Sequence, residues 1–248
     1  MPAASAALPQ QLRVCGDLNE TAPYTYFARN GGAVSGAVTG YNVALLDTLL
    51  AASGRSARYT LLPWKRCLAL AAAGQFDIVL DAVQTPERQR DFYYPRAHYT
   101  ITPILLFSKA RPLPKVRLAT DLAPFSLCQV LGWDYSLAGI DQPEALLSRP
   151  PTLNAALDML RAGRCQVMIY DRELLRGLAS TGSAATARLA DLDFLPLPWL
   201  TSVDMHWMVS RAPAYAAELH GLLDAGIASM QRSGQARRLL LRSAPAGP

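Results

Sequence analysis

The chain has 248 residues, 51% of them hydrophobic and 17% charged, with a formal net charge of +5. That length allows one large domain or two modest ones, and so few charged residues exclude a disordered chain. The densest basic cluster, Arg232, Arg237, Arg238 and Arg242, lies on an expected C-terminal helix without interleaved aromatics, the pattern of a solvated face and not of a nucleic-acid surface.

No apolar run reaches the ~18 residues needed to span a bilayer. Ala3-Ala4-Ser5-Ala6-Ala7, before Leu8-Pro9, has the small-residue character of the end of a signal peptide. The four cysteines, Cys15, Cys67, Cys128 and Cys165, show no Cys-x-x-Cys spacing, and with only three histidines they argue against a zinc site. Their even number allows three disulfide connectivities; four free thiols in a reducing compartment is the other reading.

In chain order, Leu12 to Asp17 reads as a first strand, and Asn19 to Phe27 as a polar loop running into an aromatic strand. The glycine-rich stretch 30–40 reads as a hairpin. Gly40-Tyr41-Asn42-Val43 opens an amphipathic helix through Leu45, Leu46, Leu49 and Leu50, stopped by Ser53-Gly54. Tyr59 to Leu62 is a second strand, Trp64 to Ala73 a helix ended by Gly74, and Phe76 to Val83 a buried strand. This β-α-β-α-β order predicts a parallel sheet wound with helices.

Thr85 is then an N-cap, with Pro86 at the first helical position and Glu87 in the first turn. Arg88 sits in that same turn, where the helix dipole disfavours a cation. Free N–H groups beside a guanidinium fork suit a carboxylate. A surface ion pair of Arg88 with Glu87 or Asp91 is the alternative.

After Phe92 to Pro95 comes one long apolar strand, Tyr99 to Phe107, and Lys109 to Pro114 has the composition of a connector. A second β/α series starts near Val116: a strand over Leu127 to Leu131, a turn over Gly132 to Ser136, a helix over Thr152 to Ala162, and a strand from Arg164 to Tyr170 closing on Asp171. Phe194 to Leu200, with Pro196 and Pro198, reads as a second connector, Met205 to Val209 as a strand, and about 213–231 and 234–242 as closing helices. Ligands on such sheets bind beyond the carboxyl ends of the strands, where Asp17, Arg88, Gly132 and Asp171 all fall on this reading.

The run Gly40-Tyr41-Asn42-Val43, Trp64, Gly74-Gln75-Phe76-Asp77, Thr85-Pro86-Glu87-Arg88 and Tyr94-Pro95 resembles the family 3 periplasmic solute-binding proteins, the polar amino-acid receptors of ABC importers. The likeness continues through Ala162-Gly163-Arg164, Asp171 and Ser233-Gly234-Gln235-Ala236, nearly the whole chain in order. It implies an α/β, two-lobed type II periplasmic-binding-protein (flytrap) fold, each lobe a sheet flanked by helices, with two hinge crossovers. One lobe is expected over residues 1–102 plus 200–248, the other over 103–199. That division places Cys15 with Cys67 and Cys128 with Cys165, and so favours those two disulfides and an oxidising compartment.

By the same resemblance Arg88 grips a ligand carboxylate and Asp171 takes its ammonium group. A bidentate fork suits a planar carboxylate, and a carboxylate suits a compact cation. Thr85 supports the Arg88 turn; backbone N–H groups of Gly132 and Trp133, with Tyr135 beside them, add donors; Tyr24, Tyr26 and Trp64 form an aromatic wall, unless they are core residues. Two departures matter: Val83 stands where the family often has a small hydroxyl residue, and Asp81 where Ser or Ala is usual. Asn42 replaces a frequent acidic residue at a position expected to lie outside the site. Asp17, Glu20 and Asp81 then suggest a ligand with an additional positive group, a basic amino acid or a polyamine-like compound; capping of the turn is the other role for Asp81.

The implied function is capture of a small zwitterion in the periplasm by a monomer and its delivery to an inner-membrane ABC permease, with no cofactor, metal or nucleic acid. A sensor domain of a signalling receptor is one alternative, and a cyclohexadienyl dehydratase-like enzyme, with Glu20 or Asp81 as the acid, is another.

Overall fold

The computed structural model describes residues 7–30, 33–140, 142–181 and 186–243; the residues Ala3 to Ala6 of the signal-like stretch, and Gly31 and Gly32 of the hairpin, lie outside them. The chain forms β1 (Gln11–Asp17), β2 (Tyr26–Asn30), β3 (Ala33–Thr39), α1 (Tyr41–Ala51), β4 (Ser56–Leu62), α2 (Trp64–Ala72), β5 (Ile78–Ala82) and a one-turn α3 (Pro86–Gln89). Next come β6 (Phe92–Tyr93), β7 (Tyr99–Ile101), β8 (Pro103–Ser108), β9 (Leu127–Cys128), β10 (Leu147–Ser148), α4 (Leu153–Ala162) and β11 (Val167–Asp171). Finally there are α5 (Arg172–Thr181), α6 (Thr186–Leu189), β12 (Leu192–Pro196), β13 (Val203–Ser210), α7 (Ala216–Arg232) and α8 (Gln235–Ser243). Two compact units divide the chain: Met1–Thr100 with Asp204–Pro248, and Ile101–Val203.

The first unit carries a sheet in the order β4-β1-β5-β13-β6, with β7 on β13. The β4, β1 and β5 neighbours are parallel, as β-α-β alternation requires, and β13 returns antiparallel to β5. Trp207, Tyr41, Leu45, Leu46, Leu50, Ile78 and Leu80 fill its core. The start of α1 is set by a close approach. Tyr41 and Asn42 donate their N–H groups to the carbonyls of Pro23 and Tyr24 (3.0 and 2.9 Å), so the loop caps the helix. A Cβ on Gly40, at φ 116°, would stand 2.3 Å from the Tyr24 carbonyl oxygen, so only glycine fits.

The second unit has a sheet in the order β10-β9-β11-β8-β12 over a core of Leu105, Leu122, Leu127, Val167, Ile169 and Leu197. Three expectations change here. The long strand Tyr99–Phe107 is two strands, because Thr102 leaves the ladder: its N–H and hydroxyl donate to Glu173 (2.7 and 2.9 Å) and its carbonyl accepts from Arg172 N–H (2.9 Å). The strand expected over Leu127 to Leu131 stops at Cys128 before the positive-φ turn at Gly132. The connector expected from Phe194 begins inside β12, an edge strand antiparallel to β8; Pro196 is its last residue, a position where a missing N–H is tolerated. Helices α5 and α6 and the short β10 had no counterpart in the sequence reading.

Cys15 pairs with Cys67, tying β1 to α2, and Cys128 with Cys165, tying β9 to the approach of β11; the Cα separations of 5.9 and 5.7 Å suit a disulfide. Loops of 52 and 37 residues closed this way stabilise the native state by about 4 kcal/mol each in the chain-entropy account.

Candidate functional site

In the first unit, the carboxyl end of β5 leads into the α3 turn. Thr85 caps that turn, its hydroxyl accepting from the Arg88 N–H (3.4 Å). Neither Glu87 nor Asp91 pairs with Arg88; Asp91 instead lies near Arg90 at 3.6 Å. The Arg88 guanidinium donates to the Val83 carbonyl (3.2 Å) and lies 5.6 Å from the Trp64 ring centroid, a cation–π contact. Arg88 is thus a partly buried cation with no carboxylate partner among the described residues.

Asp81, one residue before the end of β5, has φ 56°, a costly conformation for a non-glycine residue. Its carboxylate is surrounded by donors: Asn42 Nδ2 (2.6 Å) and the Tyr99 hydroxyl on Oδ1, and the Thr21 hydroxyl on Oδ2 (2.9 Å). Burial pushes the Asp81 carboxyl up and the donors pull it back down. Asn42 in turn accepts on Oδ1 from Trp207 Nε1 (2.8 Å). Indole N–H can only donate, so this contact fixes the amide orientation and makes His98 Nε2, 2.7 Å from the same oxygen, a donor as well. His98 is therefore neutral with its proton on Nε2; burial first, then the charge of His206, push its pKa down to about 3. Asn42 is fully buried at the hub of this network. Sequence reasoning passed over it, although a lone amide among the inward leucines of α1 is the mark of a buried polar hub.

The other residues singled out in this unit have partners of their own. Asp17, the last residue of β1, accepts from the N–H and side-chain amide of Asn19, both at 3.0 Å. Glu20, at φ 53°, accepts from Phe27 N–H (2.8 Å) and Arg29 (2.7 Å). Tyr24 is buried and stacks on Tyr99 with centroids 3.9 Å apart, which makes it a core residue and not a wall. Tyr26 is partly exposed at the start of β2, and Trp64 is buried against Arg88.

In the second unit, Asp171 ends β11, and its carboxyl has no hydrogen-bond or ion-pair partner among the described residues. Burial, and then the charge of Glu173, push its pKa up to about 7. Gly132 turns at φ 91°, but the Trp133 N–H expected as a donor is spent on the Val130 carbonyl (3.1 Å). The Trp133 ring stacks on Tyr170 (6.2 Å), and the Tyr135 hydroxyl accepts from Val130 N–H (2.9 Å). Among the described residues no cluster of three metal-ligating side chains occurs, and no helix is long and apolar enough to cross a membrane.

A model of the bacterial extracellular solute-binding proteins, family 3, matches residues 12–242. None of the curated proteins compared with the chain matches it. Solved structures do. The arginine-, lysine-, histidine-binding protein of the thermophilic bacterium Geobacillus stearothermophilus superposes with a TM-score of 0.75 at 17% identity, covering 96% of each chain. A histidine kinase sensor domain with similarity to periplasmic binding proteins gives 0.76 at 20% identity, over 94% of this chain and 95% of that one. An ancestral amino acid-binding protein, a precursor of cyclohexadienyl dehydratase, gives 0.72 at 19% identity, over 95% and 96%. The sheets of both units and these likenesses make the fold the α/β type II periplasmic-binding-protein fold.

Proposed function

The chain belongs to the bacterial extracellular solute-binding proteins of family 3, and from that premise we propose that it binds an amino acid or a related zwitterion and delivers it to the permease of an ABC importer. Arg88 takes the carboxylate in this reading and Asp171 the ammonium group. One observation carries it: each unit holds, near a strand end, one partly buried charge without a counter-ion, a guanidinium in the first and a carboxyl in the second. Burying a charge without a partner is costly, so a site that keeps one of each sign is built to receive the partners from outside.

The protein works as a periplasmic monomer in this reading, a receptor and not an enzyme. Glu20 is held by Arg29, and Asp81 is held by three donors, so neither is placed as a free acid. Thr85 positions the Arg88 turn and Trp64 backs the guanidinium.

Thermal unfolding in the presence of L-amino acids, of carboxylic acids lacking the amine, and of amines lacking the carboxylate tests this. A ligand present at a hundredfold excess over Kd stabilises by ~2.7 kcal/mol. Only the amino acids are expected to raise the midpoint, and Arg88→Ala is expected to abolish the rise. An equal response to carboxylic acids lacking the amine would remove the Asp171 assignment, and silence across the panel would remove the proposal.

A further inference from the structure

We infer, resting on that reading, that the side chain of the bound amino acid carries no charge. The fold does not decide this, since one relative of the same fold is named for binding arginine, lysine and histidine. The state of the carboxylates in this chain does.

A ligand guanidinium or ammonium taken out of water needs a carboxylate free to receive it. The acids that stood as candidates to read a second positive group are Asp17, Glu20 and Asp81. Glu20 has both oxygens occupied, Oε1 by the Phe27 N–H and Oε2 by Arg29 at 2.7 Å. Asp81 takes Asn42 and Tyr99 on one oxygen and Thr21 on the other. Asp17, buried, takes both the N–H and the side-chain amide of Asn19.

The same holds across the molecule. Asp47 holds Tyr59, Asp77 holds Arg13 and Tyr215, and Asp224 holds Arg96. In the second unit, Asp121 and Asp134 hold loop N–H groups, Glu144 holds Arg149, Asp158 holds Arg188, Asp191 holds Arg161, and Glu173 holds Thr102. Among the described residues Glu87, Asp204 and Glu218 have no partner, but all three are exposed to water. Asp171 alone is both shielded from water and without a partner. One free carboxyl and one free guanidinium neutralise one α-ammonium and one α-carboxylate, with nothing left for a charged side chain.

Calorimetric titration of the full chain at pH 8 with arginine, lysine, glutamate and the uncharged L-amino acids tests the inference. At least one uncharged amino acid is expected to bind tenfold or more tightly than arginine, lysine or glutamate. Tighter binding of any of those three than of every uncharged amino acid would overturn it. Arg29→Ala frees the Glu20 carboxylate, and the gap separating arginine and lysine from the uncharged ligands is expected to narrow about tenfold; an unchanged gap would show that occupied carboxylates are not the cause and would overturn the inference. If no amino acid of either kind gives heat, the amino-acid reading itself fails, an outcome distinct from a preference for basic ligands.

Discussion

Replacing Asp171 with asparagine keeps the shape of the side chain and removes its charge. In the ligand-free protein the Asp171 carboxyl has no partner, and its pKa is raised from 3.8 to about 7 by burial and then by the charge of Glu173. Below about pH 4 the native and unfolded chains both hold this proton, and the group does not affect stability. As the pH rises the unfolded chain releases it first, while the native chain keeps it until about pH 7, so the native state loses ground throughout that interval. Integrating between the two values gives a loss of about 1.7 kcal/mol by pH 5 and about 4 kcal/mol by pH 8. Asp171→Asn escapes this loss. Urea unfolding of both proteins without ligand should therefore show the variant gaining about 2–3 kcal/mol on the natural chain from pH 5 to pH 8. The ligand reverses the balance: Asp171 is about 9% ionised at pH 6 and about 91% at pH 8, so an ammonium-bearing ligand should bind about tenfold more tightly at pH 8, and Asp171→Asn should lose both the affinity and its pH dependence. Parallel stability curves for the two proteins between pH 5 and pH 8 would refute the burial argument.

Three further substitutions probe the surroundings. Trp64→Leu removes the ring from beneath Arg88, and a cation–π contact of ~0.5–2 kcal/mol corresponds to a loss of about 2- to 30-fold in ligand affinity; Trp64→Phe should retain most of it, and equal losses in calorimetry would point to packing alone. Asn42→Leu strands the Trp207 indole N–H and the His98 Nε2–H and strips a donor from Asp81, so urea unfolding should show a loss of ~3–5 kcal/mol. Gly40→Ala drives a methyl group to 2.3 Å from the Tyr24 carbonyl oxygen; the loop must move off the start of α1, and a fall of at least ~2 kcal/mol in the same assay is expected.

Local patterns were readable where short-range chemistry sets the conformation. The Thr85-Pro86-Glu87 start of α3 follows from a capping hydroxyl and a proline whose missing N–H is not needed there. The Gly40 start of α1 was visible as a glycine before an apolar helix, although the reason for it, contact with the loop carbonyls, was not. Thr102 breaks a run of apolar residues that periodicity cannot divide, because Glu173, which draws it from the ladder, lies 71 positions away. Periodicity was equally blind to the partners of Pro196, whose edge position in β12 depends on β8.

The sequence by itself determined the α/β alternation, the family and the charged residues placed near strand ends, because these rest on local propensity and on motifs in order. Only the tertiary structure decided which of those charges are already spent. Glu20 and Asp81 read in the chain as acids free for a ligand, and they find Arg29 nine residues away, Asn42 and Thr21 on other elements, and Tyr99 beyond the next turn. Arg88 and Asp171 look no different in the sequence, yet neither meets an opposite charge among the described residues. Whether a charge is satisfied depends on what the fold places within ~4 Å of it, a distance over which Coulomb energy and desolvation compete and which spacing along the chain does not encode.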